Sequence, residues 1–199
     1  MNIGVLASTK ATDLQAVIDS VASGKLNVKI SVVISDKEDA YALERARKND
    51  IVDVFVDPEG KDKEDFDKEI DEVLEKNNVD LVLLIGYMKI LSSWFVNKWK
   101  NKIINIHPSL LPAFSGGMDK DVHAEVLKSG VRETGCTLHF VDEGVDSGPV
   151  IMQKRVLVSD GETADSLKGK VQEAEKEVIV KALRLFSEGK VKVEGDEVS

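Results

Sequence analysis

The segment Asp80-Leu81-Val82-Leu83-Leu84-Ile85-Gly86 is almost uninterrupted in its apolar character. A run this short, closed by an acid and a glycine and showing no polar side, predicts a central strand covered on both faces. Upstream, Ile3 to Leu6, Val28 to Ile34 and Ile51 to Val56 supply three more strand-like runs. Amphipathic stretches separate them. Leu14, Val17, Ile18 and Val21 recur at helical spacing, Tyr41 to Lys48 is a charged helix, and Lys61 to Lys76 is another. This alternation predicts an α/β, Rossmann-like fold with a mostly parallel central sheet flanked by helices.

Downstream the pattern changes. Lys102 to Ile106 is a short strand that runs into His107-Pro108-Ser109-Leu110-Leu111-Pro112, where the two prolines impose an irregular, extended turn. Thr134 to Val141 and Pro149 to Val158 flank the turn-rich Glu143-Gly144-Val145-Asp146-Ser147-Gly148, which predicts a hairpin-like or crossing pair. Leu167, Val171, Ala174, Val178, Ala182 and Leu185 then mark a long closing helix ended near Gly189, with a short strand at Val191 and Val193 and a loose end at Ser199. Trp94, Phe95 and Trp99 read as the core anchors of a helix, and Cys136 as a small packing residue. At 199 residues the chain is expected to form one unit, 1–199, in which a boundary near residue 100 divides subregions.

Composition limits the partners. The formal net charge of -9, from 36 acidic and 27 basic residues, opposes a broad phosphate-neutralising surface for nucleic acid, so a small substrate is expected. The opening Met1-Asn2-Ile3-Gly4-Val5-Leu6-Ala7 lacks the basic flank of a signal peptide, and no apolar run approaches a membrane span. One cysteine fits a reducing compartment, and a cytoplasmic location without membrane contact is expected.

In open parallel sheets, ligands bind beyond the carboxyl ends of the strands. Asn105 and His107 stand two apart across such an end, so their side chains share a face. An amide donor beside an imidazole suits stabilisation of a developing oxyanion together with proton transfer. The bland alternative makes Asn105 a turn cap and His107 a surface histidine. Asp146 is either an Asx-turn former or a partner that orients His107 or a water.

Three separated motifs carry a resemblance: Asn105-Ile106-His107-Pro108-Ser109-Leu110-Leu111-Pro112, Gly135-Cys136-Thr137-Leu138-His139-Phe140-Val141 and Val145-Asp146-Ser147-Gly148-Pro149-Val150-Ile151. In order and spacing they resemble the formyltransferase family, and the chain length resembles its purine-pathway branch. The resemblance implies the formyltransferase fold, with Asn105, His107 and Asp146 as the catalytic set. It implies 10-formyltetrahydrofolate as donor and glycinamide ribonucleotide as acceptor. The acceptor amine is then the nucleophile, no metal or covalent enzyme intermediate is called for, and a monomer or homodimer is expected. Residues 1–100 would bind the nucleotide phosphate, and 101–199 would carry catalysis and folate. The folate pocket would be lined by Met88, Lys89, Ile90 and Leu91, within Gly86 to Ser92, and by Val141, Asp142, Glu143, Gly144 and Val145. Lys10, Ala11, Thr12 and Asp13, with Gln172 and Glu175, would hold the acceptor, while His123 and His139 match family histidines.

The chain departs from the family at several points. The glycine-rich phosphate loop of the purine branch is here Ser8-Thr9-Lys10-Ala11-Thr12-Asp13, which lacks both glycines and brings the acidic Asp13 toward an expected anion. Lys10 offers a compensating charge, and Thr12 or Asp13 capping the helix is the plain alternative. Gln172 and Glu175 are equally readable as solvated helix residues, His139 as the polar face of a strand and His123 as a helix start. Lys89 stands where arginine is common, and the loop from Phe114 to Val122, with Gly116-Gly117-Met118-Asp119, is longer than usual. Two other readings stay open: a formyltransferase for another amine, such as an amino sugar nucleotide or methionyl-tRNA, and a non-catalytic folate-binding relative. Acidity opposes the tRNA version, and the intact Asn105, His107 and Asp146 oppose the non-catalytic one.

Overall fold

The structure of the protein, a computed structural model, describes residues 1–116, 121–195 and 197–199. In chain order its elements are β1 (Asn2–Leu6), α1 (Thr12–Ala22), β2 (Lys29–Ser35), α2 (Tyr41–Arg47), β3 (Asp53–Phe55), α3 (Lys63–Lys76), β4 (Leu81–Leu84) and α4 (Ser93–Lys98). They continue with β5 (Ile103–His107), α5 (Val122–Ser129), β6 (Glu133–Phe140), β7 (Val150–Leu157), α6 (Ala164–Ser187), β8 (Val193–Glu194) and β9 (Glu197–Val198). Seven strands form a sheet in the order β3-β2-β1-β4-β5-β6-β7. The first five run parallel, β6 is antiparallel to β5, and β7 is antiparallel to β6. This is the Rossmann-like, mostly parallel sheet expected from the sequence.

Strand β4 shows why its apolar run decides the fold. Leu81 and Leu83 enter the core shared with α1, α2, α5 and α6, while Val82 and Leu84 enter the core shared with α3 and α4. Alternate residues point to opposite faces, so a strand covered on both sides leaves no position for a polar residue. Leu83 is fully buried, and truncating such a side chain to alanine costs about 2–5 kcal/mol. The same logic reaches β1, where a Cβ on Gly4 would lie 2.6 Å from Leu74 Cδ2. Any side chain there would have to displace the end of Leu74 on α3.

The second half departs from βαβ because no helix separates β6 from β7. Their connection leaves β6 beside Ile103 and folds back so that Val141 to Asp146 border the same cleft as Asn105 and His107. Gly148 makes that turn possible, since a Cβ on it would meet Phe140 O at 2.0 Å. Phe95 and Trp99 are buried as expected and stack on each other, whereas Trp94 is half-buried. Leu185 is only half-buried, and Leu183 takes the inward position near the end of α6. Two terminal expectations change: the trailing strand is β8, starting at Val193 and paired with β9, and Ser199 is tied by reciprocal backbone bonds to Lys192 of 2.8 and 3.0 Å.

Candidate functional site

Parallel strands β1 and β4 are neighbours whose crossovers leave in opposite directions, and the space above their carboxyl ends is where this topology leaves room for a ligand. A cleft of ≈ 280 Å³ opens next to that point, beside the ends of β4 and β5, lined by Leu84 and Gly86 to Leu91 on one side and by Val141 to Asp146 on the other. All nine residues expected to line a folate pocket border it. So do Asn105, His107, His139 and Asp146. Met88, Ile90 and Val145 are exposed large apolar side chains, an arrangement that favours a flat, partly apolar ligand. Leu84, Tyr87, Val96 and Val122 also line the cleft. Sequence reasoning assigned Leu84, Val96 and Val122 no role there, because apolar residues of a strand or helix read as core.

The polar wall is built by strand register. Asn105 on β5 pairs with His139 on β6, and Asn105 Nδ2 lies 3.2 Å from His139 Nε2. His139 Nδ1 is 2.8 Å from the Phe140 carbonyl. A carbonyl only accepts, so Nδ1 carries the proton and Nε2 receives the Asn105 amide N–H. Burial pushes the His139 pKa down, which agrees with a neutral ring. His139 is therefore part of the cleft wall and not an idle polar face. Its bond fixes which way the Asn105 amide points.

His107 Nδ1 lies 3.3 Å from Asp146 Oδ2, and Asp146 Oδ1 lies 3.7 Å from His139 Nε2. Asp146 sits at φ 55°, a left-handed conformation that aspartate tolerates better than most residues. Gly116 N donates to its Oδ2 at 3.1 Å. The other nitrogen of His107, Nε2, faces the Phe114 carbonyl at 3.1 Å. Both nitrogens thus meet acceptors, so the pocket accommodates a ring protonated on each. Any ligand oxygen that takes the Nε2 proton must replace the Phe114 carbonyl.

Asp142 and Glu143 use their carboxylates within the protein. Asp142 Oδ1 accepts from Gly144 N and Ser147 Oγ, and Glu143 Oε1 accepts from Asn97 Nδ2 at 2.7 Å. A second cavity of ≈ 400 Å³ adjoins the first through Lys89 and Ile90, and Lys61 and Lys63 border it. The four-residue stretch Gly117 to Lys120 of the long loop lies outside the described residues.

The residues expected to hold the acceptor stand apart from the cleft lining. Ala11, in the left-handed region at φ 43°, is the N-cap of α1, and no side chain among the described residues caps that helix. Thr12 and Asp13 are therefore its first two residues and not caps. Lys10 is exposed. Ser8 Oγ accepts from Met88 N at 2.8 Å, which ties this loop to the cleft mouth. Gln172 Nε2 reaches Thr12 Oγ1 at 3.2 Å. Asp13 and Glu175 are both buried, which corrects two expectations: Glu175 is not a solvated helix residue, and the Asp13 carboxylate is withdrawn from the surface. His123 is buried on α5, its Nδ1 has no hydrogen-bond partner among the described residues, and burial pushes its pKa down. It does not border the cleft.

The family profile described as Formyl transferase matches residues 1–183. The trifunctional purine biosynthetic protein adenosine-3 of Bos taurus is 42% identical over 96% of this chain, which spans only 19% of that protein. The phosphoribosylglycinamide formyltransferase of Escherichia coli is 36% identical over 97% of this chain and 90% of its own length. Glycinamide ribonucleotide transformylase 1 from Symbiobacterium toebii superposes with a TM-score of 0.94 at 41% identity, covering 100% of this chain and 92% of that one. Because the match runs from β1 through the strand that carries Asn105 and His107 to the turn that carries Asp146, the chain belongs to the formyl transferase family.

Proposed function

We propose that this chain transfers the formyl group of 10-formyltetrahydrofolate to the primary amine of glycinamide ribonucleotide in purine biosynthesis. The observation that carries the reading is the meeting of Asn105, His107, His139 and Asp146 on one wall of a cleft whose other walls are Met88 to Leu91 and Val141 to Val145. The names of the relatives at high coverage support the same acceptor.

In this mechanism the acceptor amine adds to the formyl carbon, and negative charge develops on the formyl oxygen. Asn105 keeps one amide N–H for that oxygen after giving the other to His139. His107 supplies a second donor through Nε2 once the Phe114 carbonyl yields its place. Asp146 stabilises the charged imidazole and holds the water through which the amine proton leaves. Tetrahydrofolate departs as the new amide forms. The acceptor is itself the nucleophile, so no step needs a metal or a covalent enzyme intermediate.

Met88, Ile90, Leu91 and Val145 pack the pterin and benzoyl rings, and backbone groups from Val141 to Gly144 read the pterin edge. Lys89, with Lys61 and Lys63 around the adjoining cavity, suits the anionic glutamyl tail. The uncapped start of α1, with Lys10 at its entrance, receives the acceptor phosphate. Residues 1–199 act as one formyltransferase domain, as a monomer or homodimer in the cytoplasm.

The test is formyl transfer from 10-formyltetrahydrofolate to glycinamide ribonucleotide, followed by folate absorbance with a no-acceptor blank and a His107→Ala control. Acceptor-dependent turnover that the control loses supports the assignment. Folate binding without turnover overturns the acceptor and turns the search to amino sugar nucleotides.

A further inference from the structure

The cleft wall Met88 to Leu91 begins where β4 parts from β1. The ladder between these strands runs past their ends, with Ile85 N donating to Leu6 O and Ser8 N donating to Gly86 O, both at 3.1 Å. There the chain turns, because Gly86 sits in the left-handed region at φ 58°. After the turn the donor is Met88 N, and its acceptor is a side chain, Ser8 Oγ, at 2.8 Å. Ser8 is 4% exposed and does not line the cleft, whereas Met88 is 36% exposed and does.

The turn is seated on the same loop. A Cβ on Gly86 would lie 2.6 Å from Thr9 Oγ1, so the Thr9 side chain fills the space that glycine leaves open. Thr9 O accepts from Ala42 N at 3.3 Å, which holds the loop against α2. Further along, Thr12 Oγ1 accepts from Gln172 Nε2 of α6 at 3.2 Å. One short segment, Ser8 to Asp13, therefore grips the donor wall with Ser8 and Thr9, and its remaining residues, Lys10 to Asp13, are those read above as holding the acceptor.

We propose that Ser8 is a positioning residue for formyl transfer. By accepting from Met88 N it fixes the folate-binding wall relative to the acceptor-binding loop, and so sets the distance between the formyl carbon and the attacking amine. Ser8 touches neither substrate. Each substrate meets its own wall whether or not the hydroxyl is present, so what the hydroxyl supplies is their mutual placement. Reaction between two bound molecules is acutely sensitive to that placement, and a displacement of about 1 Å costs on the order of 10² in rate. Without the hydroxyl, Met88 N loses its acceptor, and the first residue of the wall is free to move away from the loop. The inference rests on the acceptor assignment above.

The experiment compares wild type with Ser8→Ala in the intact chain. The substitution removes one oxygen and leaves the ladder bond of the residue 8 backbone N–H in place, so the variant should fold. Steady-state kinetics should show kcat reduced by about ten- to hundredfold, with the KM for 10-formyltetrahydrofolate and for glycinamide ribonucleotide each within about threefold of wild type. A bisubstrate adduct, in which a folate is joined covalently to glycinamide ribonucleotide, reads the same placement without turnover. Its Kd should rise in Ser8→Ala by about tenfold beyond the product of the changes seen for the two separate ligands. An unchanged kcat, or a raised KM at constant kcat, overturns the proposal, as does an adduct whose affinity changes only by that product. A second measurement needs no variant: in wild type, glycinamide ribonucleotide alone should slow hydrogen exchange of the Met88 amide, because it holds the loop that carries Ser8. Exchange left unchanged also overturns the idea. If wild type binds the folate but neither turns over nor binds glycinamide ribonucleotide, the acceptor assignment fails and this inference falls with it.

Discussion

His107 Nδ1 and Asp146 Oδ2 lie 3.3 Å apart, joined across a cleft edge by residues from two different parts of the chain. The contact exists because β6 runs antiparallel to β5 and the connection from β6 to β7 folds back to bring Asp146 against His107. If Asp146 stabilises the charged imidazole, Asp146→Asn should lower kcat by on the order of 10²–10³, and His107→Ala by on the order of 10²–10⁴. Neither change touches the Met88 to Leu91 wall, so the KM for the folate should stay within a few-fold. Steady-state kinetics with both substrates varied separates the two effects. A large KM change at constant kcat would assign these residues to ground-state binding instead.

His139 acts through Asn105. Its Nε2 takes one amide N–H and thereby aims the other at the cleft. Asn105→Ala and His139→Ala should each reduce kcat, and the double variant should be little worse than Asn105→Ala alone, because groups acting as a unit are not additive. Additive losses in the double-mutant cycle would mean that His139 contributes independently of the amide.

Much of this was legible in the sequence, and what was not has a common cause. The apolar run at β4 announces a strand covered on both faces, and a two-residue spacing places Asn105 and His107 on one face. The Asn105–His139 pairing depends on a cross-strand register between segments more than thirty positions apart, which no local pattern encodes. The burial of Asp13 and Glu175 is hidden for the same reason. Each is an ordinary polar residue on its own helix, and only the packing of α6 against α1 takes both out of water. The Phe114 carbonyl on His107 is a backbone contact, on which side-chain identity is silent.

Lys89 borders both cavities, with its ammonium 5.1 Å from the Phe66 ring centre. A partly solvated cation at that junction contributes modestly to binding of an anionic tail. Lys89→Ala should raise the KM for 10-formyltetrahydrofolate by about two- to fivefold, consistent with the modest strength of exposed ion pairs. The difference should shrink as salt is raised toward 0.5 M, because screening acts on exposed charges. Persistence of the full difference at high salt would point to packing of the lysine stem on Phe66 rather than charge.

The burial of Asp13 in the first turn of α1 bears on stability without any ligand. Asp13 has an ordinary value of 3.8 and is raised by burial to about 6 in the folded protein. Between those values the folded state holds the proton more tightly than the unfolded chain. Its contribution is thus fully present below about pH 4 and is lost as pH rises through 6. The displacement corresponds to at most about 3 kcal/mol. Asp13→Asn removes the ionisation while keeping the shape, so the variant should gain on wild type as pH rises from about 4.5 to 8. Urea unfolding at a series of pH values measures this directly. Parallel stability curves for the two proteins would mean that Asp13 titrates as it does in the unfolded chain.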